Sequence, residues 1–129
     1  MVAVDTNLIV RLVTNDEPKQ VKRAVEVFRS RQVFIPKSVL IETEWVLRYS
    51  YELDRAAIEQ SFRSVLGLPN VFVEDEEQVN QALTWFGAGF DFGDALHIAS
   101  SKGARRFITF DEKLVKKAKG VKTPEVNLG

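Results

Sequence analysis

The regular alternation of short β-branched runs with longer helical patterns most constrains what this chain can fold into. Residues 2–4, 33–35, 71–73 and 107–109 form short runs rich in Val, Ile and Phe, and a segment with helical periodicity follows each of them. A strand followed by a helix, repeated along a chain, is typical of a parallel sheet covered by helices. We therefore predict the α/β class: a three-layer α/β/α sandwich with a mainly parallel central sheet, to which Val126 and its neighbours add a short edge strand.

Capping residues and apolar spacing place the helices. Asp5 precedes a helix that we predict to end near Val13, and Pro18 lies at the start of the next one. The segment from Ser38 to about Tyr51 is apolar nearly all round, which predicts a helix buried on several sides. Further helices are predicted after Asp54, from residue 75 to residue 86, after Asp91 and after Asp111.

The length and composition of the chain predict a single domain, residues 1–129. The sequence contains no repeat, no low-complexity tract and no linker rich in Gly, Ser and Pro. The first residues lack the basic and apolar regions of a signal peptide, and no window approaches the ~20 apolar residues of a membrane span. We expect a cytoplasmic protein with no membrane partner.

The usage of Cys and His limits the chemistry. The chain contains no Cys and one His, at position 97. This composition excludes disulfides, zinc-thiolate sites, iron–sulfur clusters and a cysteine nucleophile, and no multi-histidine metal site can be built within one chain. Any metal ion would be held mainly by oxygen, which favours Mg²⁺, Mn²⁺ or Ca²⁺.

Two aspartates follow predicted strands. Asp5 comes directly after residues 2–4, and Asp111 follows residues 107–109 after one intervening residue. Because α/β folds place ligands at the carboxyl ends of their strands, we expect these two carboxylates to lie at the same edge of the sheet. The alternative is that each is only the N-cap of the helix that follows, since Asp is a preferred N-cap residue.

The predicted helix from residue 38 carries two glutamates with different surroundings. Glu42 has mainly apolar helical neighbours and no cation within one turn, so we predict that it lies on a buried face and has a function. Glu44 has Arg48 four residues later, the favoured orientation for a helical ion pair, and is predicted to lie at the surface or the rim.

Asp91 and Asp94 lie three residues apart at the start of a predicted helix, on one face. They repel each other unless something positive lies beside them, and the helix N-terminus supplies about half a charge. The alternative is an N-cap followed by a first-turn acid. With Asp5, Glu42 and Asp111, they form an all-oxygen ligand set suited to one or two hard divalent cations against a phosphodiester.

Four segments, in this order and spacing, resemble the PIN-domain nucleases, and among them the VapC-type toxins of bacterial and archaeal toxin–antitoxin modules. They are VDTN at residues 4–7, ETEWVL at 42–47, DFGDALHIA at 91–99 and TFD at 109–111. The resemblance covers almost the whole chain. It implies a parallel sheet sandwiched by helices, in agreement with the fold predicted above.

The resemblance also implies roles for individual residues. The acidic quartet that is catalytic and holds Mg²⁺ or Mn²⁺ is matched by Asp5, Glu42, Asp94 and Asp111, and an additional metal-site acid is matched by Asp91. Polar positions that orient ligands or water are matched by Thr6, Asn7 and Thr109. Glu112 directly follows Asp111, so the resemblance leaves open which of the two reaches the metal.

The function implied is that of a Mg²⁺- or Mn²⁺-dependent endoribonuclease, the toxin of a VapBC-type module, which hydrolyses RNA with metal-activated water. The resemblance also implies a homodimer and a VapB-type antitoxin that holds the toxin inactive. Two alternatives stay open. One is a PIN nuclease of RNA processing or DNA maintenance without an antitoxin, and the other is a catalytically silent PIN domain that binds RNA or protein.

The formal net charge of 0 conceals an uneven distribution. Residues 102–122 carry eight cations against Asp111 and Glu112, a net charge of +6, and the rest of the chain is therefore −6. We predict that this segment binds RNA phosphates, with Lys113 and Lys116 closest to the metal; the alternative is a solvated surface helix.

His97 and the aromatic residues are assigned to structure. His97 lies three residues after Asp94, and we expect it to be partly buried in its helix and not a general base. Trp45, Trp85 and the Phe side chains are assigned to the core or to a dimer contact, not to base stacking.

Overall fold

The computed structural model describes residues 1–129 as an α/β protein with five strands and seven helices. The chain divides into two compact units, Met1–Glu76 and Glu77–Gly129. The strands form two hydrogen-bonded sheets, and every pair of neighbouring strands is parallel. The α/β class and the parallel pairing predicted from the sequence are confirmed.

The first unit is built on a three-stranded sheet in the order β1-β2-β3. Its elements are β1 (Val2–Ala3), α1 (Thr6–Thr14), α2 (Pro18–Ser30), β2 (Val33–Ile35), α3 (Lys37–Tyr49), α4 (Arg55–Leu66) and β3 (Val71–Val73). In the central strand, Val33 lies opposite both Val2 and Val71, and Val33 and Ile35 are fully buried. Asp54 caps α4 as predicted, because its carboxylate accepts a hydrogen bond from the backbone N–H of Ala57 at 2.8 Å.

The second unit contains a two-stranded sheet and the helices around it. α5 (Glu76–Gly87) begins at the boundary, and α6 (Phe92–Ser100), β4 (Arg106–Thr109), α7 (Glu112–Lys117) and β5 (Glu125–Leu128) follow. The predicted strand near Val126 is β5, which pairs with β4 from Arg106 opposite Glu125 to Thr109 opposite Leu128. Inside this unit, the rings of Phe86 and Phe92 meet edge to face, with centroids 5.6 Å apart.

The helix α3 is less buried than its sequence predicted. One stripe is buried, made by Leu40, Thr43, Glu44 and Leu47, and these residues repeat at the helical spacing i, i+3, i+4 and i+7. Trp45 lies off that stripe and is 56% exposed, with its ring 4.8 Å from the ring of Tyr49. The prediction of burial on several sides was therefore wrong, and Trp45 does not belong to the core.

Candidate active site

Asp5 lies just beyond the carboxyl end of β1 and caps α1. Its Oδ1 accepts a hydrogen bond from the backbone N–H of Leu8 at 3.4 Å, and the side chain is exposed. The N-cap interpretation is thus correct for Asp5. A cap uses one carboxylate oxygen, however, so it is compatible with a second role for the same side chain.

Glu42 forms a hydrogen bond with Thr6, the residue that follows Asp5 in the sequence. The buried Thr6 donates its hydroxyl hydrogen to Glu42 Oε1, which joins the first turn of α1 to the middle of α3. This hydrogen bond fixes the orientation of the exposed carboxylate of Glu42.

The burial of the two glutamates on α3 is the reverse of the prediction. Glu42 is exposed, whereas Glu44 is 3% exposed and forms a two-point pair with Arg48, with Nε to Oε2 at 2.7 Å. Glu44 belongs to the buried stripe and Glu42 lies beside it. The helical spacing of Leu40, Glu44 and Leu47 indicates that Glu44 is buried with the two leucines. Our prediction relied instead on the apolar neighbours of Glu42.

Asp5 and Asn7 are among the residues that line a groove of about 330 Å³ in the first unit. It runs between α1 and α2, and its cationic lining residues are Arg11 and Arg23. Arg11 is engaged by Asp16 and Tyr51, each at 2.9 Å from its Nη1. The two arginines were not singled out from the sequence, although Gln20, Arg23, Ala24 and Val27 repeat at helical spacing along this wall.

In the second unit, Asp91 and Asp111 also cap helices. Asp91 Oδ2 accepts from the backbone N–H of Asp94 at 3.0 Å, and Asp111 Oδ1 accepts from the backbone N–H of Leu114 at 3.1 Å. The hydroxyl of Thr109 accepts from the backbone N–H of Asp111 at 3.0 Å. Thr109 therefore fixes the turn that presents Asp111 at the carboxyl end of β4.

Three carboxylates of the second unit line one small cavity of about 100 Å³, together with Lys113, Leu114 and Lys117; they are Asp91, Asp94 and Asp111. Partial burial raises the pKa of Asp94 above its ordinary value, and the negative charges of Asp91 and Asp111 raise it further. Proximity to His97 lowers it in part. The three carboxylates are therefore close enough to interact electrostatically.

Two lysines complement this negative charge. Lys113 and Lys117 are four residues apart and share a face of α7, and Lys117 Nζ donates to the backbone carbonyl of Gly89 at 2.7 Å. Lys113 lines the acidic cavity as expected. The second lysine of the lining is Lys117; Lys116, which we expected beside Lys113, and Glu112 do not line the cavity.

His97 is exposed, which contradicts the prediction that it is partly buried. The buried stripe of α6 is formed mainly by Phe92, Ala95, Leu96 and Ala99, and His97 lies outside it. Phe110 and Phe72 are further exceptions, because they are 86% and 46% exposed and do not lie in the core. Trp85 is half-buried and stacks on Phe90, with ring centroids 5.8 Å apart.

The donor chemistry of these residues suits a hard divalent cation. Neither unit by itself holds a group of three or more Asp, Glu or His side chains close enough to bind one metal ion, so the three acids of the cavity do not converge on one point. Mg²⁺ commonly takes only one or two protein carboxylates and completes its shell with water and substrate phosphate. Carboxylate oxygens next to lysines fit such a partly open site.

The pKa of Asp94 makes the stability of the metal-free chain depend on pH. Since the folded pKa lies above the ordinary value of 3.8, charged Asp94 destabilises the folded state at neutral pH, and this destabilisation disappears as the pH falls towards 3.8. We expect Asp94→Asn to be more stable than the wild type at pH 7, and the difference to shrink towards pH 4. Urea unfolding in EDTA across this range measures it, and a difference independent of pH would contradict the assignment.

Comparison with known proteins gives one family. The family model of the PIN domain matches residues 2–120, a range that includes all five candidate acids. The search of the curated proteins finds no match. None of the helices has the length and apolar character that crossing a membrane requires.

Proposed function

The chain belongs to the PIN-domain family, whose members are generally metal-dependent nucleases, and from this premise we propose a Mg²⁺- or Mn²⁺-dependent endoribonuclease. We further propose that it is the toxin of a VapBC-type toxin–antitoxin module. The observation that carries the proposal is the cavity in which Asp91, Asp94 and Asp111 lie beside Lys113. Carboxylates that can hold a cation, next to an ammonium group that can attract a phosphate, suit phosphodiester hydrolysis.

Each unit contributes residues suited to this chemistry. In the first unit, Asp5 and Glu42 are the proposed ligands, and the hydrogen bond from Thr6 orients Glu42. In the second, Asp94 and Asp111 are the proposed ligands, with Asp91 as an additional acid and Thr109 fixing the turn before Asp111. A bound Mg²⁺ or Mn²⁺ would activate water for in-line attack and stabilise the departing oxygen.

The remaining roles fall to groups of the chain itself. Asp91 or Asp111 accepts the proton of the attacking water, and the ammonium group of Lys113 attracts the phosphate that is cut. Neither role needs a covalent nucleophile. His97 is not required, since carboxylates supply the proton acceptor.

RNA as the substrate is supported by the sequence resemblance and by the distribution of charge. The VapC-like segments cover the candidate acids in order, and residues 102–122 have a net charge of +6. Lysines that contact the phosphates of a nucleic acid give a salt-dependent affinity, but they do not distinguish one base sequence from another. A PIN nuclease of RNA processing or DNA maintenance is the second candidate, favoured by the same charge segment but without an antitoxin.

The proposed partners are a VapB-type antitoxin and a second copy of the chain, with action in the cytoplasm. An exposed aromatic pair on α3, Trp45 and Tyr49, supports a homodimer, because exposed large aromatic side chains commonly mark protein interfaces. A small antitoxin-like reading frame directly upstream of the gene would favour the toxin over the second candidate.

Induction of the chain without an antitoxin tests the toxin proposal. We expect growth to slow within minutes and new internal RNA ends to accumulate, and we expect Asp5→Asn to abolish both effects. Asp54→Asn is the matched control, since Asp54 is also an exposed helix cap and Asn caps nearly as well as Asp. Normal growth with the wild-type chain, or equal toxicity of Asp5→Asn and wild type, would refute the toxin.

A further inference from the structure

Phe110 is the most exposed of the large apolar side chains. Its exposed fraction is 86%, and Ile108, two residues earlier on the same chain segment, is 63% exposed. Large exposed apolar side chains that lie side by side are unusual on a solvent-facing surface and indicate a contact. The candidate acids and lysines do not explain this feature.

The position of Phe110 links it to the acidic cavity. It lies between Thr109 and Asp111, at the carboxyl end of β4, and Asp111 lines the cavity with Lys113. Phe110 directly follows the last residue of β4, and its side chain and that of Ile108 both lie beside Gly129. The exposed ring therefore lies in the short connection between β4 and α7, directly before the candidate catalytic residue Asp111.

Gly129 lies against one edge of the ring. A Cβ added at Gly129 would lie 2.9 Å from Phe110 Cε1 and 3.0 Å from Ile108 Cγ2, so the backbone of Gly129 rests against both side chains. The 86% exposure shows that this contact covers only a small part of Phe110. An aromatic face held at one edge and open to solvent can receive a flat partner.

We propose that Phe110 stacks on a nucleobase of single-stranded RNA next to the phosphodiester that is cut. The inference rests on the proposed function. Bases of every kind have a π-face, and base–aromatic stacking is a common contribution to single-strand binding. The neighbouring Lys113 and the net charge of +6 over residues 102–122 complement the RNA backbone.

A second copy of the chain fits this surface less well than RNA does. A stable protein interface buries about 800 Å² per partner, which needs some twenty residues or more on each side. The exposed large apolar side chains of the second unit are Phe110, Ile108 and Leu128. Such an area matches one base and its sugar better than a dimer contact.

Steady-state cleavage of a single-stranded RNA oligomer by the purified full chain tests the inference. At saturating Mg²⁺, we expect Phe110→Ala to raise KM about tenfold with kcat nearly unchanged, since stacking contributes to binding of the strand. Phe110→Trp should keep KM within about twofold of the wild type. Phe110→Leu, which keeps an apolar side chain but cannot stack, should behave like Phe110→Ala. Phe72→Ala, which removes an exposed phenylalanine of the first unit, is the control and should leave KM unchanged.

The outcomes separate stacking from its rivals. A wild-type KM in Phe110→Ala, or a KM restored equally by Leu and Trp, would overturn stacking. Light scattering on the same samples measures the molecular mass. A lower mass for Phe110→Ala than for the wild type would identify Phe110 as a contact between copies of the chain and would also overturn stacking. If the wild-type chain cuts no RNA, the proposed function fails first; if it cuts RNA and the Phe110 variants match it, only the inference fails. Thermal unfolding confirms that each variant is folded.

Discussion

Replacing Asp94 with Asn is expected to lower kcat for RNA hydrolysis more than about 100-fold. Mutation of groups that merely support a metal ligand typically lowers metal affinity or activity 10–100-fold, so loss of a ligand should exceed that range. The change is nearly isosteric and keeps the backbone N–H that Asp91 accepts from. It also removes a charge that the folded chain accommodates poorly, because burial, Asp91 and Asp111 raise the pKa of Asp94.

The stabilisation of the chain by metal gives a second readout for the same variant. A ligand that binds only the folded state raises stability with its concentration, so Mg²⁺ or Mn²⁺ should raise the melting temperature of the wild type. Asp94→Asn should lose most of this response. Glu112→Gln is the matched control, since Glu112 is an exposed acid that does not line the cavity. Equal losses of activity in the two variants would contradict the assignment of Asp94.

Replacing Arg48 with Met is expected to lower the free energy of unfolding by about 2 kcal/mol, because the buried carboxylate of Glu44 would lose its partner. The side chain of Glu44 is 4% exposed, and Arg48 binds both of its oxygens. Arg48 is itself 38% exposed, so solvent screens part of the pair and the loss should lie below that of a fully buried one. Urea unfolding measures the difference.

Arg63→Met is the matched control for this prediction. Arg63 pairs with Glu59 at the same i, i+4 spacing, but both side chains are more exposed than Glu44, and surface pairs of this kind contribute roughly 0.5 kcal/mol or less. The double variant Glu44→Met with Arg48→Met should be more stable than Arg48→Met alone, since it leaves no buried charge without a partner. Equal destabilisation by Arg48→Met and Arg63→Met would show that burial of Glu44 does not matter.

Elements with strong local signals were predictable from the sequence. The runs at residues 33–35 and 71–73 are β2 and β3, and Asp5, Asp54, Asp91 and Asp111 each cap the helix that was expected to follow. These geometries are compatible with both interpretations of the candidate aspartates, as helix N-caps and as metal ligands. A capping aspartate at the carboxyl end of a strand satisfies a backbone N–H and still presents a carboxylate to a ligand.

Features that depend on which face of a helix is buried were less predictable. Glu44 is buried and Glu42 is exposed, the reverse of our prediction. The packing of α3 through Leu40 and Leu47 decides which glutamate is covered. Lys117 rather than Lys116 lines the acidic cavity for the same reason, since Lys113 and Lys117 share a face of α7. The exposure of Phe110 is set by tertiary packing around β4, on which local sequence carries no signal.

Cleavage of RNA by the purified chain, with and without metal, tests the central claim most directly. A single-stranded RNA oligomer and a DNA oligomer of the same sequence are incubated with the wild-type chain in Mg²⁺, in Mn²⁺ and in EDTA. Asp94→Asn, purified in the same way, controls for contaminating nucleases. Internal cuts in the RNA that require metal, return when metal is restored after EDTA and are absent with Asp94→Asn are the predicted result. RNA that stays intact in both metals, or cuts that persist in EDTA, would contradict a metal-dependent ribonuclease.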